Sequence, residues 1–303
     1  PYLKPGDLIG ITCPAGHISA AELEPAVNAL QGWGFKLRLG STVGKRDFTF
    51  GGTDEERAND FQEMLDDPSL RAILCARGGY GCIRIIDRLD FRKFTEKPKW
   101  IVGFSDITVI HAHLNHNFRV ASIHSKMCNS FPYRLSEAEP EQLQSILSIR
   151  EALTGNRVNY PLVPDPGNKN GTGTGMLVGG NLKTIENLAG TASEIRTDGM
   201  ILFVEDVGEY LYSIDRMFFS LKRTGKLDRL AGLLIGGFRV KPDDPGDEFG
   251  RSVYNIVHDH LALYQYPVCF NFPVGHQKVN FALKCGVRHH LTVSDQEVIF
   301  KEI

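Results

Sequence analysis

The residues Trp100-Ile-Val-Gly-Phe-Ser-Asp-Ile-Thr108 join a buried strand to a helix through a single serine. A serine at such a junction is thrust out on a tight turn, at the positive end of the helix, and the N–H of the next residue points where an oxyanion would form. Ser105 is therefore a candidate nucleophile, with the amide of Asp106 as an oxyanion donor. Gly103 matches the first glycine of G-x-S-x-G, but Ile107 stands in place of the second, so the elbow is half matched. The other reading of Ser105 is a plain N-cap. Arg77-Gly-Gly-Tyr-Gly81 also follows an expected strand. Adjacent glycines there let the backbone approach a ligand and turn N–H groups toward an anion, or they are simply a glycine-rich turn.

A serine nucleophile needs a base, and the base needs a carboxylate that holds its tautomer. His276 lies in Phe272-Pro-Val-Gly-His-Gln-Lys278, a glycine-containing loop after an apolar run. Catalytic bases sit in such loops, and so do solvated histidines. Glu205 closes the apolar run Ile201–Val204. An acid at the mouth of a buried strand is costly unless paired. Asp206 and Glu209 follow closely and could merely be solvated. His111, His113 and His116 fall on one helix, where only the last two share a face and no carboxylates accompany them, so no metal site is expected. His258 and His260, at i and i+2, point apart. Gly171-Thr-Gly-Thr-Gly175 has no strand before it and does not read as a dinucleotide fingerprint.

The elements that must position these residues alternate. Strands are expected at Asp7–Thr12, Phe35–Leu39, Arg71–Ala76 and Trp100–Gly103. Helices are expected at Ala20–Trp33, from Thr53 (a capping box with Glu56) to about Leu65, at Gly81–Leu89 and at Asp106–Asn115. That order predicts a parallel sheet covered by helices, with ligands beyond the carboxyl ends of the strands. Residues 156–175 turn to Pro, Gly and Asn without periodicity and read as a linker. A second α/β domain follows, with helices at Asn181–Leu188, Leu211–Thr224 and Arg251–Leu263, strands at Met200–Glu205 and Leu230–Phe238, and a hairpin arm at Leu291–Phe300. The expected division is residues 1–155, a linker at 156–175, and residues 176–303.

Composition narrows the function classes. The 303 residues carry 34 Lys+Arg and 36 Asp+Glu, a net charge of −2, which offers no electrostatic footprint for nucleic acid or an anionic membrane. No apolar run approaches the roughly 20 residues of a membrane helix. Pro1–Gly16 has no basic segment leading into an apolar one, so no secretory signal is expected there. Six cysteines without a C-x-x-C pair predict reduced thiols in a cytoplasmic protein, with Cys13 and Cys75 as small buried hydrophobes. The 31 glycines, about 10% against an average near 7%, are clustered at the turns described above.

Taken in order, the opening Leu3-Lys-Pro-Gly-Asp-Leu-Ile-Gly-Ile-Thr-Cys-Pro-Ala15, Arg77–Gly81, Gly103–Thr108, Gly179-Gly-Asn-Leu182, Val204–Glu209 with Asp215-Arg216, and Phe272–His276 resemble the LD-carboxypeptidase (muramoyltetrapeptide carboxypeptidase) family of serine peptidases. That family also includes the microcin-immunity peptidases. The resemblance implies an N-terminal parallel-sheet domain like class I glutamine amidotransferases and a smaller C-terminal α/β domain, with the active site between them. It implies Ser105, Glu205 and His276 as the triad, with Gly79 and Asp106 as the oxyanion amides. No cofactor or metal is implied. The substrate would be a murein tetrapeptide losing its terminal D-alanine during cell-wall recycling in the cytoplasm, and the enzyme a homodimer. Arg77 and Arg216 are candidates for reading the terminal carboxylate, or structural ion-pair arginines. The rival readings are an immunity-type peptidase acting on an aminoacyl-nucleotide antibiotic and a non-catalytic muropeptide-binding protein.

Overall fold

The computed structural model describes Tyr2–Ile303; Pro1, the first residue of the expected N-terminal domain, lies outside the described residues. The chain divides into two units. The first runs to Val158 and takes in Phe281–Lys284, and the second comprises Asn159–Asn280 and Cys285–Ile303.

In the first unit, β1 (Leu8–Thr12), α1 (Ala20–Gly32), β2 (Lys36–Leu39), α2 (Asp54–Asp66), β3 (Leu70–Cys75), α3 (Cys82–Ile85), α4 (Arg92–Glu96), β4 (Trp100–Gly103), α5 (Thr108–Phe118), β5 (Ser122–His124) and α6 (Pro140–Thr154) follow one another. The helices begin where their caps dictate. Ser19 with Glu22, and Thr53 with Glu56, form reciprocal capping boxes at α1 and α2. β1, β3 and β4 are short aliphatic runs, buried on both faces as inner parallel strands are. The strand Leu283–Cys285 joins at the edge, so the sheet order is β2-β1-β3-β4-β5 and then that late strand. β1 to β5 pair in parallel. From β1 the chain turns to β2 on one side and then to β3 on the other. This makes a switch point, with a crevice at the carboxyl ends of β1 and β3.

The second unit contains β6 (Gly171–Asn181), α7 (Leu182–Asn187), β7 (Ile201–Val207), α8 (Leu211–Arg223), β8 (Gly232–Arg239), α9 (Val253–Leu261) and β9 (Val268–Cys269). After Leu283–Cys285, which is β10, come β11 (Arg288–Val293) and β12 (Val298–Glu302). The sheet order is β12-β11-β6-β7-β8-β9, parallel from β6 to β9 and antiparallel at β11 and β12. Leu202, Val204, Ile214, Phe218, Leu233 and Ile256 lie in its core.

Two expectations need correction. Residues 171–175, read as linker, are the first half of β6, and their glycines are a packing requirement. A Cβ on Gly173 would lie 1.7 Å from the Ala231 carbonyl oxygen, and one on Gly175 would lie 2.4 Å from that of Gly199. Period-two glycine thus marks a strand crossed closely by backbone. The helix expected over Gly81–Leu89 is only Cys82–Ile85, followed by a 3₁₀ turn at Ile86–Arg88.

Candidate active site

In the first unit the site begins where β4 ends. Ser105 has φ 65°, the left-handed region, and opens a 3₁₀ turn, Ser105–Ile107, that runs into α5. An N-cap takes an extended conformation. Ser105 instead has the strained geometry of a strand-to-helix elbow, and such strain collects at functional sites. The strand end beneath it is anchored. Gly103 O accepts the Ser125 N–H at 3.1 Å and the His111 Nε2–H at 2.8 Å. His111 is buried, and burial pushes its pKa down to about 4, so the ring is a neutral donor.

The turn after β3 lies against Ser105. A Cβ on Gly78 would fall 3.1 Å from Ser105 Cβ and 3.3 Å from its Oγ, and Gly79 has φ 105°. The backbone at Gly79 favours glycine, and a side chain at Gly78 would crowd Ser105. The Asp106 side chain ties the two turns together, its Oδ2 accepting the Cys82 N–H at 2.7 Å. Burial pushes the pKa of this carboxyl up, opposed by hydrogen bonds from the Cys82 side of the turn. Gly78, Gly79, Ser105 and Asp106 thus share the carboxyl edge of the first sheet.

In the second unit, Glu205 stands near the end of β7 and is fully buried. Its Oε2 accepts the His276 Nδ1–H at 2.6 Å and the His276 backbone N–H at 3.1 Å. A carboxylate on Nδ1 selects the tautomer whose lone pair is on Nε2, the form a general base requires. The loop carrying His276 can lie this close to Glu205 only because residue 275 has no side chain. Gly275 has φ 117°, and a Cβ there would sit 2.7 Å from Glu205 Cβ. Its N–H donates to Asn280 Oδ1 at 3.0 Å, which pins the same loop. This pair and the Ser105 group belong to different units.

The remaining candidates have structural partners. Arg77 reaches Glu22 and the His17 carbonyl at 3.4 Å each, a loose surface pair. Arg216, on α8, lies 5.5 Å over the Tyr212 ring. Asp206 is buried, which pushes its pKa up to about 6, and it accepts from Asn181 Nδ2 and from the N–H groups of Lys183 and Val207. Glu209 Oε2 accepts the Ser213 hydroxyl. His260 is buried against Asp215 at 2.9 Å. All six cysteines are buried and unbridged, and burial pushes the Cys13 thiol up to about 12. Among the described residues no group of three His, Cys, Asp or Glu side chains could hold a metal ion, and no helix is long and apolar enough to cross a membrane. Sequence reasoning missed Gly78 as a contact of Ser105, His111 as an anchor of β4, and Asn280 beneath His276. Their partners lie in other elements, and only the sequence nearness of Asn280 to His276 was a usable signal.

The chain matches the LD-carboxypeptidase N-terminal domain over residues 9–125 and the LD-carboxypeptidase C-terminal domain over residues 174–291. It is 31% identical over 310 residues to a Bacillus subtilis protein named as a probable murein peptide carboxypeptidase, covering 99% of this chain and 93% of the relative. It is 27% identical over 329 residues to the microcin C7 self-immunity protein of Escherichia coli, covering 99% of this chain and 94% of the relative. The crystal structure of muramoyltetrapeptide carboxypeptidase from Oxalobacter formigenes superposes with a TM-score of 0.85 at 27% identity, over 97% of this chain and 98% of that one.

Proposed function

This chain belongs to the LD-carboxypeptidase family of serine peptidases, and from that premise we propose that it removes the terminal D-alanine from murein tetrapeptides with a Ser105–His276–Glu205 triad. The observation that carries this reading is the 2.6 Å bond from His276 Nδ1 to buried Glu205. It prepares an imidazole whose Nε2 can take a serine proton.

In the proposed reaction Ser105 Oγ attacks the carbonyl of the L-centre that precedes the terminal D-residue, and His276 Nε2 takes the hydroxyl proton. The negative charge gathers on the former carbonyl oxygen, facing the N–H groups of Gly79 and Asp106. Such donors are worth roughly 3–4 kcal/mol each in other enzymes. Collapse breaks the amide bond, and D-alanine leaves with the proton held by His276. Water, deprotonated by the same ring, then hydrolyses the acyl-serine. Glu205 stabilises the imidazolium at each stage. The substrate would be L-Ala-D-Glu-diaminopimelate-D-Ala or its muropeptide, handled during peptidoglycan recycling in the cytoplasm by a homodimer. Light scattering on the purified protein tests the dimer.

The likeness to a microcin self-immunity protein favours one second reading, a peptidase that cleaves an aminoacyl-nucleotide antibiotic. One assay separates the two. Purified protein is given the synthetic tetrapeptide and, in parallel, the aminoacyl-nucleotide, and both are followed by mass. Loss of one D-alanine, unaffected by chelators and abolished in Ser105→Ala and His276→Ala, is the expected result. Full activity in Ser105→Ala would remove the nucleophile assignment, and cleavage of the nucleotide conjugate alone would favour the second reading.

A further inference from the structure

A fully buried guanidinium lies behind the turn that carries Gly79. Arg57, on α2, donates from Nε to Gly52 O at 3.2 Å, and from Nη1 to Pro14 O and to Gly81 O at 3.0 Å. Its Nη2 pairs with the Asp54 carboxylate, and its face lies 4.8 Å over the Phe50 ring. A buried charge is costly to keep unless its donors are matched. Here three of the acceptors are backbone carbonyls from three separate loops, after β1, before α2 and after β3. A planar fork with several fixed donors can bridge them, and a lysine ammonium on a flexible stem cannot do so equally.

Those loops govern one peptide plane. Gly16, two residues after Pro14, donates its N–H to Gly78 O at 2.9 Å. In a trans peptide the carbonyl and the following N–H point in opposite directions, so this bond aims the Gly79 N–H away from Gly16. At the far end of the turn, Gly81 has φ 146°, and a Cβ there would lie 2.6 Å from Arg57 Nη1. Arg57 therefore holds both supports of the Gly78–Gly79 peptide, Pro14–Gly16 on one side and Gly81 on the other.

We infer that Arg57 is a positioning residue for the reaction, fixing the direction of the Gly79 N–H by clamping the Pro14 and Gly81 carbonyls. The inference rests on the proposed reading in which that N–H meets the oxyanion. The test is Arg57→Lys, which keeps the charge but replaces the two fixed donor atoms, Nε on Gly52 O and Nη1 on Pro14 O and Gly81 O, with one nitrogen on a flexible stem. The expected result is a kcat about 10- to 100-fold lower, less than the loss of a whole donor, with KM within about threefold. A peptide boronate that forms a tetrahedral adduct on Ser105 should lose affinity by the same factor, while the tripeptide product binds unchanged. A merely structural role would lower the melting temperature and the active fraction without altering the boronate affinity of the folded enzyme.

Wild-type kcat and boronate affinity in folded Arg57→Lys would overturn the inference. If that variant does not fold, Gly16→Ala tests the same plane, because its Cβ would press on Gly78 O from 2.6 Å. The same parallel loss of kcat and boronate affinity is expected, and unchanged values would overturn the inference. Ser105→Ala, assayed alongside, keeps the two questions apart: if it stays active, the proposed function fails whatever Arg57 does.

Discussion

Replacing Glu205 with glutamine separates the two tasks of the buried acid, its charge and its control of the ring. The two carboxylate oxygens have different surroundings. Oε2 accepts both the His276 backbone N–H and Nδ1–H, whereas Oε1 is buried with no hydrogen-bond partner among the described residues. In the serine-protease triad an amide in place of the acid can turn its nitrogen to the ring, invert the tautomer and cost about 10⁴ in kcat. Here the backbone N–H is a fixed donor and cannot accept. The glutamine must put its oxygen where Oε2 now lies, and the Nδ1–H tautomer survives. What is lost is the charge facing the imidazolium, about 4 kcal/mol for unit charges 4 Å apart at an effective dielectric of 20. The expected result for Glu205→Gln is thus a kcat about 10³-fold lower, with KM changed little. D-alanine release gives the kinetics, and ¹H–¹⁵N spectra of the labelled ring give the tautomer. A fall of less than tenfold would refute the role of the charge, and a bare Nδ1 in the spectrum would refute the argument from the backbone N–H.

Other substitutions test neighbouring parts of the argument. Gly275→Ala sets a Cβ 2.7 Å from Glu205 Cβ in a left-handed position, and should cost about 2–3 kcal/mol in urea unfolding and at least tenfold in kcat. Ser105→Gly should abolish activity yet raise stability by about 1 kcal/mol, because the residue's φ of 65° is a strain that glycine does not feel. His111 is held neutral down to about pH 4, while the unfolded chain binds that proton near pH 6.5. Its contribution is therefore complete above about 6.5 and falls as pH drops toward 4, by about 3 kcal/mol in all. His111→Gln, which keeps an N–H donor for Gly103 O, should flatten that part of the stability–pH curve measured by urea melts.

Local chemistry made much of the chain legible. The helical spacing of Leu23, Val27 and Leu30 and the capping box at Thr53 declared two helices, the aliphatic runs declared β1, β3, β4 and β7, and the strand–serine–helix junction pointed to Ser105. These signals are written within a few residues, because a cap, a period or a turn is satisfied by near neighbours. The resemblance to a family then offered roles for Glu205 and His276, which spacing alone had left open.

What only the tertiary structure decided is where distant groups meet. The strand Leu283–Cys285 completes a sheet begun at Leu8, and the short β5 carried no strong local signature. Gly275 is glycine because Glu205, 70 residues earlier, occupies the space a side chain would need. Arg57 gives no sign in sequence that its fork will be buried on the carbonyls of Pro14, Gly52 and Gly81. Backbone periodicity is a short-range property readable from composition along a window. Exclusion of a Cβ, or the satisfaction of a buried charge, depends on atoms that come together only once the chain has folded.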